Sequence, residues 1–277
     1  MSLQSHENEL KQIHLTYAKY TKITKKKKCR LEKNTVVYCL KKHSNNKKNN
    51  FLRIILLWRR RNNFDSQYPW RNTKNRYRIL LSELLLKKTT RTQVAGEWKN
   101  IIKQCNSFEG IQKCNLKKLK KTLRPLGLEN TRSKNLKELS KIILKKYKGK
   151  VPDKKSDLMF LPGVGPYTAN AVLCFAFGHD VSMLDTNITR VLKRVFGYRT
   201  KKSRERIDKS LWEFAESLPP KGKAKEFNYA ILDFASDVCS AKNPKCDACP
   251  ARKICAYASS QSELKKFSHS SSTQYPA

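Results

Sequence analysis

Beyond residue 51 the apolar positions of this chain recur at intervals of three and four. Ile79, Leu80, Leu84 and Leu86 form one such stripe together with Glu83; Leu116, Leu119 and Leu123 form a second; Leu136, Leu139, Ile142 and Ile143 form a third. In an α-helix those intervals bring side chains to a common face, and strand-like alternation is scarce. Glycine and proline fall between the stripes, at Pro125 to Gly127, Pro162 to Pro166 and Pro219 to Gly222, and punctuate a series of ordinary helices rather than a coiled coil. The pattern predicts an all-α fold.

The two ends read differently. Residues 1–50 are polar and basic, with Lys25, Lys26, Lys27 and Lys28 in a row and an Asn/Lys-rich stretch from Asn45 to Asn50, and are expected to be a disordered arm. Such an arm serves either as a solvated tail or as a non-specific contact to DNA. Residues 259–277 are Ser-rich and are expected to form a short disordered tail. The longest apolar run, Phe51 to Trp58, is interrupted by Arg53 and is far too short to span a bilayer. The first fifty residues lack the apolar stretch of a secretory signal, so the expectation is an intracellular protein, not secreted, whose nine cysteines are thiols or metal ligands before they are disulfides.

Charge narrows the partner. Sixty Lys+Arg against 22 Asp+Glu leave a formal net charge of +38, far beyond what solubility needs, and point to a polyanion, with nucleic acid the first candidate. A chain of 277 residues with 39% hydrophobic content can still bury one good-sized core or two small ones.

Three local signals carry chemistry. The first is Leu161-Pro162-Gly163-Val164-Gly165-Pro166-Tyr167, between a helix at Asp157 to Phe160 and an apolar segment ending near Phe177. Leu161, Gly163, Val164 and Gly165 then form a hairpin that lets backbone amides reach a phosphate, although an ordinary helix-helix turn has the same glycines. The second is Asp185, at the start of a stripe of Ile188, Val191, Leu192 and Val195. A carboxylate there caps a helix, and it is also suited to stabilise positive charge developing on a sugar; both roles can coexist. The third is the C-x6-C-x2-C-x5-C array Cys239, Cys246, Cys249 and Cys255, whose uneven spacing favours a [4Fe–4S] cluster and leaves zinc open.

Hairpin, aspartate and four cysteines, in this order, resemble the endonuclease III-like, HhH-GPD superfamily of helix-hairpin-helix DNA glycosylases, over roughly Phe51 to Tyr257. The resemblance implies two helical domains flanking a DNA cleft: a six-helix barrel at 77–185 carrying the hairpin, and an iron–sulfur cluster domain assembled from 51–76 and 186–258. It implies base flipping from double-stranded DNA by a monomer. Bifunctional members hold a Schiff-base lysine where this chain has Tyr167, and a phenol forms no imine, so hydrolysis without strong lyase activity is expected.

Tyr68-Pro69-Trp70-Arg71 and Leu81-Ser82-Glu83-Leu84 resemble both the archaeal-type thymine–guanine mismatch enzymes and the MutY-type adenine glycosylases. They make Glu83 a candidate general acid or base. Leu86-Lys87-Lys88-Thr89-Thr90 is closer to the thymine group, and the chain leaves no room after the cysteines for the separate 8-oxoguanine-reading domain of the adenine group. The implied activity is removal of thymine or uracil opposite guanine. Asp185, Glu83 and Tyr167 would form the catalytic site, Lys87 and Lys88 would enter the gap in the stack, and Lys242 and Lys245 would sit on a basic loop shaped by the cluster. The alternatives are adenine removal opposite guanine or 8-oxoguanine, and a DNA-binding protein without catalysis.

Overall fold

The computed structural model describes the backbone of residues 33–200 and 208–261, with side chains from residue 46 onward. Two compact units, Met1–Asn46 and Lys47–Ala277, divide the chain. Of the first, residues 33–46 are described and are helical; residues 259–261 of the expected disordered tail are helical as well, whereas residues 1–32 of the expected basic arm, and 262–277 of the tail, lie outside the described residues.

Every regular element is a helix, and no strand occurs among the described residues. In chain order they are α1 (Lys33–Asn62), α2 (Arg76–Leu85), α3 (Arg91–Gln104), α4 (Phe108–Lys113), α5 (Leu116–Leu123), α6 (Glu129–Tyr147), α7 (Lys155–Met159), α8 (Pro166–Phe177), α9 (Thr186–Phe196), α10 (Lys209–Glu216) and α11 (Ala224–Asp237). Short 3-10 turns lie at Phe64–Gln67, Arg124–Leu126 and Arg252–Ile254. None of the helices is long and apolar enough to cross a membrane, among the described residues.

Helix α1 corrects one expectation: residues 33–50 are helical rather than disordered. Phe51 and Ile55, one turn apart, are fully buried and anchor the helix. Extension toward the N-terminus then adds one hydrogen bond per residue fixed, with no Gly or Pro from Lys33 to Asn62 to stop it. Arg59, Arg60 and Arg61 in the last turn suit the negative end of its dipole.

Side-chain caps set most of the other helix starts. Asn75 accepts from Arg78 N at 3.1 Å, and Thr90 and Gln93 form a reciprocal capping box that opens α3. Gly178 and Gly197 close α8 and α9 at φ 75° and 70°, the left-handed conformation that costs glycine least.

Buried side chains fall into two apolar clusters. One gathers Phe51 and Ile55 of α1 with Val191 and Leu192 of α9, Leu211 of α10 and Phe234 of α11. The other gathers Leu80 and Leu81 of α2, Ile101 of α3, Leu123 of α5 and Ile143 of α6, and also takes in Tyr68 and Trp70. Helix α8 feeds both, through Ala171, Cys174 and Phe175 on one face and Ala169, Val172 and Leu173 on the other. It is buried almost all round, which is why its sequence is apolar without a polar stripe. Each fully buried Leu, Ile or Phe contributes about 1.5–3 kcal/mol to this packing.

One buried anion ties distant segments together. Asp233 of α11 is wholly inaccessible and accepts from Arg71 Nη1 at 2.9 Å and Nη2 at 2.7 Å. Arg59 of α1 reaches it at 3.3 Å, and Arg91 at the start of α3 completes the cluster while also bonding Asp237 at 2.7 Å. Several guanidinium donors on one carboxylate offset the cost of burying it and fix Arg71 in place.

Candidate active site

Helices α7 and α8 flank the glycine turn. Gly163 adopts φ +80°, and a Cβ there would stand 3.2 Å from Asn135 Nδ2, so the turn needs glycine on both counts. At Gly165 a Cβ would meet nothing within 4 Å: this backbone faces open space, where a phosphate can approach closely. Leu161 and Val164 are buried, and their amides donate to Leu158 O and Leu161 O at 3.1 and 3.0 Å. Those two residues therefore brace the turn from below, whereas the amides of Gly163 and Gly165 have no acceptor among the described residues.

A cleft of about 790 Å³ opens beside the first turn of α8 and brings together Glu83 of α2, Tyr167 of α8 and Asp185 at the start of α9. Arg71, Phe175, Tyr229 and Arg190 also line it. Three residues from separate parts of the sequence, singled out for their chemistry, thus share one wall-to-wall space.

Asp185 does what a helix cap does. Its Oδ1 accepts from Asn187 N at 2.9 Å and Ile188 N at 2.7 Å, and its Oδ2 accepts from Asn187 Nδ2 at 2.9 Å. Arg190 Nη1 holds Asn187 Oδ1 at 3.0 Å, so the carboxylate is fixed from behind. Because the cap leaves the group only partly buried and lining the cleft, capping and electrostatic catalysis are compatible.

Glu83 is different. It is 6% exposed, and among the described residues no hydrogen bond holds its carboxyl. Burial raises its carboxyl to about 7, against a smaller opposing pull from Arg71. The group is held near the balance point between acid and base. Burial, and then the carboxylates of Glu83 and Asp185, hold the Tyr167 phenol well above its ordinary range, so it stays protonated.

Sequence reasoning did not single out the opposite wall. Arg71 is stacked between Tyr68 and Tyr229, with its guanidinium 4.7 and 4.6 Å from the ring centres. Asp233 takes both terminal nitrogens, while the buried Nε–H has no acceptor. Tyr229 lies flat on Phe175 at 4.0 Å and 3°, giving the cleft a rigid aromatic surface. The Tyr68-Pro69-Trp70-Arg71 motif carried this signal; the partner ring on α11 lies too far along the chain to be read from it.

Lys87 and Lys88 are exposed on the loop after α2, and Lys87 Nζ donates to Gly163 O at 2.8 Å, joining this loop to the hairpin. Leu128, which the sequence did not flag, projects beside them: it is 50% exposed and sits at φ 54°. One buried side chain organises this edge. Arg132 donates to Leu84 O, Lys87 O and Gly127 O at 2.9, 2.7 and 2.8 Å, holding the α2–α3 loop and the Gly127–Leu128 turn to the same helix.

Cys239, Cys246, Cys249 and Cys255 line one small cavity with Arg194, Phe234 and Lys245. Burial and then the charges of the other three push the Cys249 thiol up to about 11. Thiolates this close repel one another unless a cation sits among them, and an all-sulfur donor set suits iron–sulfur or zinc chemistry. Among the described residues, no three His, Cys, Asp or Glu side chains are grouped as a metal-ion site. Arg194 Nη atoms donate to Ser240 O at 2.6 Å and Ala241 O at 3.0 Å, fixing the loop on which Lys242 and Lys245 are exposed. Cys105 and Cys174 are buried core thiols away from this array.

An all-α scaffold, a glycine hairpin with free amides and an acid-lined cleft beside it define a helix-hairpin-helix protein built to hold a nucleic-acid backbone. The model of the HhH-GPD superfamily base excision DNA repair proteins matches residues 81–217. A thymine/uracil-DNA glycosylase of Methanothermobacter thermautotrophicus is 38% identical over 218 residues, covering 77% of this chain and 96% of its own. The solved structure of a thermostable thymine-DNA glycosylase aligns with TM-score 0.70 at 37% identity, over 78% of this chain and 99% of that one. A non-covalent endonuclease III–DNA complex aligns with TM-score 0.63 at 25% identity, over 84% and 100%. The chain belongs to the HhH-GPD superfamily of base excision DNA repair proteins.

Proposed function

We propose that this chain hydrolyses the N-glycosidic bond of thymine or uracil opposite guanine in duplex DNA, as a monomer and without a lyase step. The observation that carries the reading is the cleft in which Glu83, Tyr167 and Asp185 converge, with tyrosine where a Schiff-base lysine would stand. The 38%-identical relative named for thymine and uracil supports the choice of base.

The chemistry follows from the wall groups. The C1′–N1 bond breaks with its electrons going to the pyrimidine, and protonated Glu83 neutralises the leaving base at a carbonyl oxygen. Asp185 stabilises the cationic sugar and takes the proton of the water that adds at C1′, leaving an abasic site. The unspent Nε–H of Arg71 is a donor for a pyrimidine carbonyl, and Tyr229, held between Phe175 and the Arg71 guanidinium, keeps that donor in place. The hairpin amides of Gly163 and Gly165, with Lys242 and Lys245, hold phosphates. Leu128, Lys87 and Lys88 fill the gap that the flipped nucleotide leaves. In this reading the two apolar clusters are a six-helix barrel domain and an iron–sulfur domain.

Duplexes bearing T, U or A opposite G, treated with alkali after incubation, test the assignment. Cleavage at T and U but not at A is expected, and no borohydride-trapped complex with the wild type. Tyr167→Lys is expected to yield a trapped Schiff base. Preferential release of adenine would overturn the base assignment, and trapping by the wild type would overturn the hydrolytic one.

The four cysteines are proposed to hold a [4Fe–4S] cluster, supported by their common cavity and their all-sulfur donor set. When bound, such a group would supply structural cross-linking of the C-terminal segment beneath the Lys242–Lys245 loop. Anaerobically purified protein is expected to carry stoichiometric iron and acid-labile sulfide, both lost in Cys249→Ser. Zinc in place of iron would refute the assignment.

A further inference from the structure

A second basic surface lies outside the cleft. Helix α5 turns Leu119, Thr122 and Leu123 inward, and its opposite side opens a groove of about 620 Å³ lined by Lys117, Lys118, Lys120, Lys121 and Arg124. Glu129 is the only carboxylate on that lining, and Asn115 and Asn130 complete it. None of the five cations forms an ion pair among the described residues, and four of them are exposed. Five positive charges gathered in one concavity repel one another, a cost that neither folding nor the chemistry of the cleft requires.

The position of the groove identifies its occupant. Glu129 and Asn130 follow Leu128 directly in the first turn of α6, so the groove begins where the proposed wedge ends. Leu128 is itself fixed through the Gly127 carbonyl to Arg132. A duplex whose stack is entered by Leu128 must continue away from that point on either side, and a concave row of unpaired lysines fits a phosphate backbone in charge and shape.

We propose that the α5 groove is a second DNA-backbone site, which grips the duplex arm on one side of the flipped nucleotide and is distinct from the hairpin and the cysteine loop. The proposal rests on the glycosylase reading for its register along the DNA but not for the contact itself. Each lysine that neutralises a phosphate releases condensed counterions, so the groove contributes to the salt dependence of binding irrespective of which base is removed.

The test uses the full chain and the variant Lys117→Gln/Lys118→Gln/Lys121→Gln, whose exposed positions leave Leu119 and Leu123 in the core. Affinity is measured against salt on an undamaged duplex and on one with a single tetrahydrofuran abasic-site analogue. Loss of the contacts is expected to reduce the slope of log K against log salt by about 0.9 per contact, hence by roughly 1–3 in all, on both duplexes. Shortening one particular arm of the abasic duplex is expected to weaken the wild type and to have no further effect on the variant. An unchanged slope, with unfolding temperature also unchanged, would overturn the proposal. So would an arm effect that simply adds to that of the substitutions. A wild type that does not prefer the abasic duplex would count against the glycosylase reading and leave the slope on undamaged DNA as the measure of the groove.

Discussion

Asp185→Asn is expected to bind a T·G duplex about as tightly as the wild type and to excise the base 100- to 1,000-fold more slowly in a single turnover, a loss of about 3 kcal/mol or more of transition-state stabilisation. The substitution separates the cap from the proposed electrostatic role of this residue. Asparagine caps helices as well as aspartate does and can still accept from Asn187 N and Ile188 N, so α9 and the unfolding temperature should change little. What disappears is a negative charge on the wall of the cleft. If the variant excises within a few-fold of the wild type, Asp185 is a cap alone and the mechanism is wrong.

The second large effect belongs to Glu83. With its carboxyl raised to about 7, the acid form is abundant at neutral pH, and excision should fall as the pH rises through that value. Glu83→Gln is expected to lose this limb of the pH–rate profile and to slow excision by about 100-fold, within the usual range for a general acid. Stability offers an independent measurement. Burial raises the folded-state value above the ordinary 4.5, so the native state binds the proton more tightly than the unfolded chain. The contribution of Glu83 to stability is therefore fully present below about 4.5 and is lost as the pH rises through about 7, where the buried carboxylate must ionise. In Glu83→Gln that slope should vanish from urea titrations at several pH values. A variant that keeps both the wild-type rate and the wild-type pH limb would show that the carboxyl is a buried structural group only.

Legibility from sequence varied with the range of the interaction. The helix-hairpin-helix was readable because its requirements are local: Gly163 must take positive φ, and Leu161 and Val164 must reach the core beneath it. Asp185 was readable as a cap for the same reason. Arg71 was not, because its meaning depends on Asp233 and Tyr229, more than 150 positions away, which occupy its terminal nitrogens, cover one face and leave Nε free. Leu128 carried no signal because an exposed leucine after a glycine has no place in the periodic pattern; the turn that presents it is held by Arg132. Helix α1 began earlier than composition suggested, since polarity predicted disorder for residues 33–50 while the anchor at Phe51 and Ile55 carried the helix past them.

By itself, then, the sequence determined the helical class, the hairpin, the cap at Asp185, the cysteine array and the appetite for a polyanion. Each is set by spacings of a few residues or by summed charge, quantities that do not depend on how helices pack. Only the tertiary structure decided that Glu83, Tyr167 and Asp185 face one cleft and that Glu83 titrates near neutrality. The same holds for the spare donor of Arg71 and for the lysines of α5, which form a groove beginning at the foot of Leu128. Those properties arise from burial and from side chains that meet across long stretches of chain, and desolvation, the main force on Glu83, exists only once α2 and α8 have closed around it.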